Sequence, residues 1–333
     1  MRNDSVPTKV VDFPAPASGS PTRVPTAFDD AVIWAAWLYY ADQLNQSDVA
    51  KALNVSRATV VNLLQEARER GVVTISLRSD LAARTSVARR LADRYGLVEA
   101  LVIPSRGEAS LVDRLGDAAA RLLGDQLTAG DVIGIAWGRT VLAAARAMAP
   151  PEPVPRLTVV QVAGSSMASE DFSPELCTSL MSNRLDARCV NLLAPALLSS
   201  AELRDRLMAE PMLVHQFELI RSATRLLFGV GDLGPSSTVR KSGFATAETV
   251  ERYVRSGAKA VIIGRFIGAD GGSVAGELDQ RMIGITLDEL RAVAVRICVA
   301  GGPGKREAIR AALAGGFASH LVTDIDTAQR LLE

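Results

Sequence analysis

Residues 296–309 read RICVAGGPGKREAI: a short apolar run, a glycine-rich turn and then the start of an amphipathic stretch. A second apolar run, SHLVTD, follows at residues 319–324. Short apolar runs that alternate with amphipathic stretches are typical of parallel strands connected by helices. This part of the chain therefore predicts a strand, a helix and a second strand of the same sheet.

The same alternation extends over most of the sequence. The other apolar runs are EALVIP (99–104), DVIGIAWG (131–138), LTVVQVAG (157–164), RLLFGVG (225–231) and KAVIIGR (259–265). We expect residues 97–333 to form a Rossmann-like α/β domain, whose parallel sheet is covered by helices on both faces.

Residues 27–78 have a helical pattern instead. The run DDAVIWAAWLYYA, which begins at Asp29, predicts one apolar helix. Asn45 and Ser56 suit the N-cap positions of two further helices, and Gly71 suits a helix end. Two short helices and a tight turn before a polar-faced helix form a helix-turn-helix arrangement, in which the last helix enters the major groove of DNA. The alternative is a three-helix packing module with a solvated face.

The last helix of this predicted domain should have a buried face and a polar face. Val60, Val61, Leu64 and Ala67 recur at the spacing of a buried helical face. Arg and Asn side chains on the other face can pair bidentately with base edges. The candidates for binding double-stranded operator DNA are Gln46, Ser56, Arg57, Thr59, Asn62 and Arg68.

Composition sets limits on the class of protein. Of the 333 residues, 48% are hydrophobic and 22% charged, with 37 basic and 37 acidic side chains, so DNA binding would depend on a local patch. Residues 1–26, rich in Pro, Ser and Thr, predict a disordered leader, and residues 79–96 predict a connecting helix. The sequence contains no apolar run of 18 residues and no signal peptide, so we expect a cytoplasmic protein without a membrane partner.

The three cysteines, Cys177, Cys189 and Cys298, are scattered along the chain. They lack the paired spacing of a metal-binding site, and buried, reduced thiols are the expected state. We therefore predict neither a metal nor a cofactor.

Two passages from strand to helix carry candidate ligand-binding residues. In GIAWGRT, residues 134–140, Gly138 permits a tight approach, while Arg139 and Thr140 open the next helix. Ligands of open α/β sheets bind outside the carboxyl ends of the strands, where such passages lie. For this passage and for the one that precedes residue 306, the alternative is an ordinary tight turn with a solvated arginine or lysine.

The second passage is the glycine-rich turn before residue 306. Gly301, Gly302 and Gly304 should expose backbone N–H groups, the next helix directs its positive end at the turn, and Lys305 adds a full charge. These features predict an anion site, for which a phosphorylated sugar is a better candidate than a free sugar or polyol. Gln161, near the end of another strand, is a candidate for the pocket wall.

Four segments, in their order and spacing, resemble the SorC family of bacterial sugar-responsive regulators. The segments are LNQSDVAKALNVSRATVVNLLQEARERGVVTI (44–75), GIAWGRT (134–140), GVGDLGPSSTVRKSGF (229–244) and AGGPGKREAIRAALAGGFASHLVTDIDTAQRLL (300–332). The resemblance implies an effector domain similar in fold to phosphosugar isomerases, a sugar or sugar-phosphate effector, and a homo-oligomer, either a dimer or a tetramer.

The resemblance also implies roles for individual residues. Arg139 and Thr140 occupy positions that contact the sugar or its phosphate, and Lys305 matches a phosphate-contacting lysine. Arg240 falls where a further phosphate-binding arginine occurs. Many relatives carry an acidic residue where this chain has Val261, so its effector is expected to make one hydroxyl contact fewer.

An enzyme is the main alternative, namely a phosphosugar isomerase or deaminase fused to a helical domain. Such chemistry needs a general base close to the bound sugar. His215 and His320, the only histidines, suit structural roles, and Glu170 and Asp171 have no partner of the nucleophile or metal-ligand kind. We therefore expect no catalysis. A structural DNA-binding protein without a small-molecule effector is a third possibility, against which the two glycine-containing loops argue.

Overall fold

The computed structural model describes residues 30–73, 86–150, 152–165, 172–235, 237–241 and 244–333. These residues divide into two compact units, with the division between positions 76 and 77. Four predicted features lie at least partly outside the described residues: the leader, the first part of the connecting helix, the carboxylates of Glu170 and Asp171, and most of the run VVTISL (72–77), whose apolar pattern predicts a short strand.

The first unit is helical where it is described. Its elements are α1 (Ala31–Ala36), a π-helical turn (Trp37–Ala41), α2 (Gln46–Leu53) and α3 (Arg57–Glu69). The run that begins at Asp29 was predicted to be one apolar helix. It is helical from Ala31 to Ala41, and the α-helical pattern changes to the wider π-helical one after Ala36.

Local side-chain contacts determine where α2 and α3 begin. The Asn45 side chain accepts hydrogen bonds from the backbone N–H groups of Ser47 and Asp48. The Ser56 hydroxyl accepts one from the N–H of Thr59 at 3.0 Å. These contacts satisfy donors that a helix start leaves unpaired, so both predicted N-caps are confirmed.

One residue of the predicted buried face of α3 is exposed. Val60, Leu64 and Ala67 are buried as expected, whereas 42% of Val61 is exposed. Val61 lies about 100° around the helix from Val60 and leaves the buried face. It follows Arg57 by four residues and therefore lies on the same exposed face as Arg57. The prediction for Val61 was wrong because the apolar run was wider than the buried face.

The second unit alternates helices with strands over most of its length. Its elements are α4 (Ser86–Tyr95), β1 (Glu99–Ile103), α5 (Leu111–Gln126), β2 (Val132–Ile135), α6 (Arg139–Ala147), β3 (Thr158–Gln161), α7 (Pro174–Arg184), β4 (Arg188–Val190), α8 (Ala201–Met208), α9 (Pro211–Arg221), β5 (Arg225–Phe228), α10 (Thr238–Lys241), α11 (Ala247–Arg255), β6 (Ala260–Ile262), β7 (Arg265–Ile267), α12 (Leu287–Ala292), β8 (Val295–Val299), α13 (Arg306–Ala314), β9 (His320–Asp324) and α14 (Ile325–Leu332).

Within the described residues, seven of these strands form one parallel sheet in the order β1-β9-β8-β5-β2-β3-β4. Successive side chains of a strand enter opposite faces of the sheet. In β5, Leu226 and Phe228 pack into one apolar cluster and Leu227 packs into the other. Helices α5, α6 and α7 cover the second of these faces. The α/β class with a preceding helical unit is thus confirmed.

The KAVIIGR run does not belong to the parallel sheet. Its strand β6 pairs with β7 in an antiparallel hairpin. Ile263 and Gly264, the two residues between the strands, have φ values of 49° and 81°. Two positive φ angles in a two-residue connection are typical of the tight hairpin turns that reverse a strand. Short apolar runs look alike in either setting, so the sequence pattern did not distinguish them.

The cysteine prediction is correct at two positions out of three. Cys177 and Cys298 are buried, and burial raises the pKa of each thiol to about 12. Cys189, in contrast, is exposed. It lies in β4 at the edge of the sheet, a short strand that the apolar runs did not reveal.

A close contact between α5 and α6 yields a stability prediction. A Cβ added to Gly116 would overlap with Ala143, including its backbone. We expect Gly116→Ala to lower the free energy of unfolding by about 1–3 kcal/mol, because overlap with backbone outweighs the better helix propensity of alanine. Urea denaturation measures this change. Gln126→Ala, at the last position of the same helix, is the control, and an unchanged Gly116→Ala midpoint would contradict the close packing.

Candidate functional site

The order of strands brings three loops together at the carboxyl edge of the sheet. From β2 the chain continues to β3 and β4 on one side, and then returns to β5, β8 and β9 on the other. The position between β2 and β5 is therefore the point at which the strand order reverses, where ligands of open α/β sheets bind. Residues 136–140, 229–235 and 300–305 follow β2, β5 and β8 at this point.

A small cavity of about 120 Å³ lies between these loops. Its lining is mostly apolar and includes Trp137, Val230, Phe244, Val261 and Ile263. Val261 thus occupies the wall of the cavity. An apolar wall interrupted by a few polar groups is the usual composition of a small-molecule site.

A larger cavity of about 730 Å³ adjoins it, and more charged side chains line it. Its lining includes the charged side chains of Arg139, Asp232, Lys259, Lys305 and Glu307. The residues that line both cavities are Val112, Arg139, Gly301 and Lys305. The structure therefore brings together the two passages that sequence analysis singled out, although they lie more than 160 positions apart in the chain.

Two helix N-termini face the cavities. Helix α6 begins after Gly138, whose φ of 128° is a backbone conformation that residues other than glycine rarely adopt. Arg139, its first residue, is exposed. The Thr140 hydroxyl donates to the carbonyl of Val299 at 3.1 Å, which ties the start of α6 to the end of β8. Helix α13 begins at Arg306, directly after Lys305.

The ammonium of Lys305 has partners within the protein. Its Nζ lies 2.8 Å from Oδ2 of Asp232 and donates to the carbonyl of Val230 at 3.1 Å. Burial raises the pKa of Asp232, but the hydrogen bond and charge of Lys305 outweigh this effect and hold the pKa below its ordinary value. Asp232 was not among the residues predicted from the sequence, although it lies within the GVGDLG segment.

Asp324, at the end of β9, fixes the glycine-rich turn. Its carboxylate accepts hydrogen bonds from the N–H of Gly302 at 2.7 Å, from the Ser105 hydroxyl, and from the N–H and hydroxyl of Thr327. Burial raises the pKa of Asp324, but these hydrogen bonds outweigh it and lower the pKa overall. The N–H of Gly302 therefore points to Asp324, whereas the sequence prediction assigned it to an anion.

Two other predicted site residues lie away from the cavities. Gln161 is fully buried; its amide donates to the carbonyl of Ala163 and accepts from the N–H of Leu192. Its side chain therefore joins β3 to a neighbouring loop. The guanidinium of Arg240 donates to the carbonyl of Leu233 and pairs with Glu251, and it lines neither cavity. Neither side chain lines either cavity, and the ligand contacts expected for Gln161 and Arg240 stay predictions.

The first unit presents its predicted DNA-contacting residues on the surface. The side chains of Ser56, Arg57, Thr59, Asn62 and Arg68 are exposed. Gln46, the first residue of α2, accepts a hydrogen bond from Nε of Arg57 at 3.2 Å. This contact holds the arginine at the start of α3, and Val61 adds an apolar group beside it.

The histidines contribute no acid–base group to the cavities. His215 is exposed on α9, 3.6 Å from Glu218. His320 is buried at the start of β9, where its Nδ1 lies 2.8 Å from the Ser319 hydroxyl. Burial, followed by the charges of Arg296 and Arg225, lowers the pKa of His320. Among the described residues there is no cluster of three or more His, Cys, Asp or Glu side chains that could hold a metal ion.

Among the described residues, no helix combines the length and the apolar character that crossing a membrane requires.

Comparison with known proteins identifies relatives over about nine tenths of the chain. A family model described as "Putative sugar-binding domain" matches residues 79–333. The transcriptional regulator YjhU of Escherichia coli is 34% identical over 311 residues, which are 91% of this chain and 94% of that protein. The deoxyribonucleoside regulator of Bacillus subtilis is 30% identical over 90% of this chain and 96% of its own length.

A solved structure extends the similarity to three dimensions. The full-length sorbitol operon regulator SorC from Klebsiella pneumoniae superimposes with a TM-score of 0.74 and 26% identity, covering 91% of this chain and 98% of that one. Both the helical unit and the α/β unit thus have counterparts in these proteins.

Proposed function

Because this chain belongs to the SorC family of sugar-binding transcriptional regulators, we propose that its α/β unit binds a phosphorylated sugar that modulates operator binding by its helix-turn-helix. One observation carries the proposal. Arg139, Lys305 and two helix N-termini meet at the point where the strand order reverses. Positive helix ends and cationic side chains favour an anionic ligand, and phosphate is the anion that sugars commonly carry.

The two cavities suit the two parts of such a ligand. The charged cavity offers cations for the phosphate, and the adjoining apolar cavity accepts the carbon skeleton beside Trp137. A neutral sugar or polyol gains less from the cations and is the second candidate. The printed names of the relatives, a deoxyribonucleoside regulator and a sorbitol operon regulator, support an effector from carbohydrate metabolism.

The coupling between ligand and DNA follows from linkage. A ligand shifts the protein between two states only if it binds one of them more tightly. The operator must then change the ligand affinity by the same factor as the ligand changes the operator affinity. We propose that the effector acts in this way on a cytoplasmic homo-oligomer, a dimer or tetramer, in which residues 27–78 bind DNA and residues 97–333 bind the effector and assemble.

We infer that the chain is a sensor and not an enzyme. Isomerisation or deamination of a phosphosugar needs a general base next to the substrate. The carboxylates that line the cavities among the described residues are those of Asp232, which pairs with Lys305, and Glu307, which lies 3.7 Å from Arg310. Release of product from a panel of sugar phosphates would contradict this inference.

The proposal is tested by a mobility shift with the DNA upstream of the gene, in the presence and absence of pentose and hexose phosphates. We expect one of these phosphates to change the operator affinity and the corresponding free sugar to act far more weakly. The same compound should raise the melting temperature of the full chain, because a ligand of the folded state stabilises it. No shift of the DNA by the protein under any condition would contradict the regulator function itself.

The DNA-contacting face yields a separate prediction. Arg57→Ala should weaken binding to the specific operator by about 1–3 kcal/mol, with a smaller effect on unrelated DNA, because a base-reading arginine contributes mainly to the specific complex. Gln46→Ala should produce a smaller loss of the same kind, since it frees the Arg57 side chain. Footprinting measures both. Arg184→Ala, which removes an exposed arginine from the other unit, is the control. Unchanged footprints of Arg57→Ala, Thr59→Ala and Asn62→Ala would refute the assignment.

A further inference from the structure

The loop after β5 places a carboxylate against the lysine of the glycine-rich turn. Oδ2 of Asp232 lies 2.8 Å from Nζ of Lys305, and Oδ1 accepts the N–H of Gly234 at 3.1 Å. Both side chains are partly open to the larger cavity, with 29% of Asp232 and 20% of Lys305 exposed. The charge that the sequence predicts to be available for phosphate is therefore already balanced by an anion of the protein.

This pair makes the cavity unfavourable for a bare anion. An ion such as inorganic phosphate that approaches Lys305 also approaches the carboxylate of Asp232, and like charges within one site repel each other strongly. Inorganic phosphate has few protons to donate in return. For a ligand that carries only negative charge, repulsion by Asp232 thus cancels much of the binding free energy that attraction by Lys305 provides.

A sugar phosphate can satisfy both members of the pair. An ionised carboxylate has about four acceptor positions, and the contacts of Asp232 with Lys305 and Gly234 occupy two of them. Sugar hydroxyls are donors, and a hydrogen bond to a charged acceptor is stronger than one between neutral groups. Lys305 and Arg139 then attract the phosphate while Asp232 accepts a hydroxyl of the same molecule.

We propose that Asp232 is a specificity-determining residue, which selects hydroxylated organic phosphates over inorganic phosphate and other bare anions. The inference rests on the proposed sugar-phosphate effector and deepens it. It assigns Asp232 to the hydroxyl groups and reserves the cations for the phosphate group. The other carboxylate that lines the larger cavity within the described residues, Glu307, is half exposed and lies near Arg310.

The variant Asp232→Asn tests the proposal because it removes the charge and keeps the shape and the acceptor for Gly234. Titration calorimetry on the full chain compares inorganic phosphate with a panel of pentose and hexose phosphates. We expect the affinity for the best sugar phosphate to fall about tenfold or more, since a hydrogen bond to a charged group is replaced by one to an amide. The affinity for inorganic phosphate should rise severalfold, since the repulsion is relieved.

The opposite direction of the two changes distinguishes this role from a structural one. Asp270→Asn is the matched control, because the Asp270 carboxylate accepts the N–H of Gly272 in the same kind of turn but lies outside both cavities. It should leave both affinities unchanged. If Asp232→Asn has a much lower melting temperature than the wild-type chain, Asp232→Ser serves as a second variant. Parallel changes for both ligands, or none, overturn the proposal while the effector assignment stands. If the wild-type chain binds no sugar phosphate, both the specificity role of Asp232 and the sugar-phosphate effector are contradicted.

Discussion

Asp324→Ala should lower the free energy of unfolding of the α/β unit by roughly 2–4 kcal/mol. The Asp324 carboxylate is buried and accepts four hydrogen bonds, from Ser105, Gly302 and Thr327. It is also the N-cap of α14, and loss of a capping side chain alone costs about 1 kcal/mol. Each buried donor left without an acceptor adds about 1–3 kcal/mol, partly offset by relaxation of the loop.

Urea denaturation of the purified chain measures this loss, and calorimetry measures its effect on the effector. The glycine-rich turn is held by Asp324, so the variant should bind the effector more weakly as well. Asp326→Ala is the matched control, since that carboxylate is exposed two residues further along and should change stability by less than about 1 kcal/mol. Equal stability of the two variants would show that the turn is not held by Asp324.

The pH dependence of this effect has a definite sign. The pKa of Asp324 is lower in the folded chain than its ordinary value of 3.8. A carboxyl group of this kind contributes its full stability above the unfolded-state pKa and loses it as the pH falls through the depressed folded-state pKa. The difference in stability between the wild-type chain and Asp324→Ala should therefore be constant near neutrality and shrink below about pH 4. A difference that grows with acidification would contradict the assignment.

Local patterns were sufficient to predict much of this fold. The caps at Asn45 and Ser56 depend on residues within three positions of one another, so their side-chain types alone indicate where the helices begin. The strands of the parallel sheet are short apolar runs buried on both faces, which the sequence shows directly. β6 shares that apolar pattern although it forms a hairpin, and β4 lacks it because the strand is exposed at the edge.

The site was predicted only in part, since its key contacts join distant segments. The two glycine-containing passages could be identified because each combines a strand end with a helix start. Asp232 and Lys305 are separated by 73 positions, and no local pattern signals their pairing. Gly302 and Asp324 are likewise joined only by the packing of β8 against β9. The sequence predicted a free lysine and free backbone N–H groups in this turn. In the structure, Asp232 pairs with the lysine, and Asp324 accepts the N–H of Gly302.

Lys305→Ala should weaken a phosphorylated effector by about 1.5–3 kcal/mol, the range for a hydrogen bond to a charged group, which is a loss of roughly 10- to 150-fold. The Lys305 ammonium faces both cavities, and its removal also leaves Asp232 as an uncompensated charge beside the phosphate. Operator binding without ligand should stay nearly unchanged, because the substitution lies outside the helix-turn-helix. Calorimetry with the effector and a mobility shift without it measure the two quantities.

The control for this prediction is another lysine of the same cavity. Lys259 also lines the larger cavity but is exposed, so Lys259→Ala should reduce the affinity for the effector by less than about threefold. A further test combines Lys305→Ala with Asp232→Asn. In the Lys305→Ala variant, the unpaired Asp232 carboxylate repels the phosphate. Loss of the lysine should therefore reduce the affinity for the effector less in the Asp232→Asn background than in the wild-type chain. If the effector proves to be uncharged, or if its affinity survives Lys305→Ala, the phosphate is bound elsewhere or is not part of the ligand.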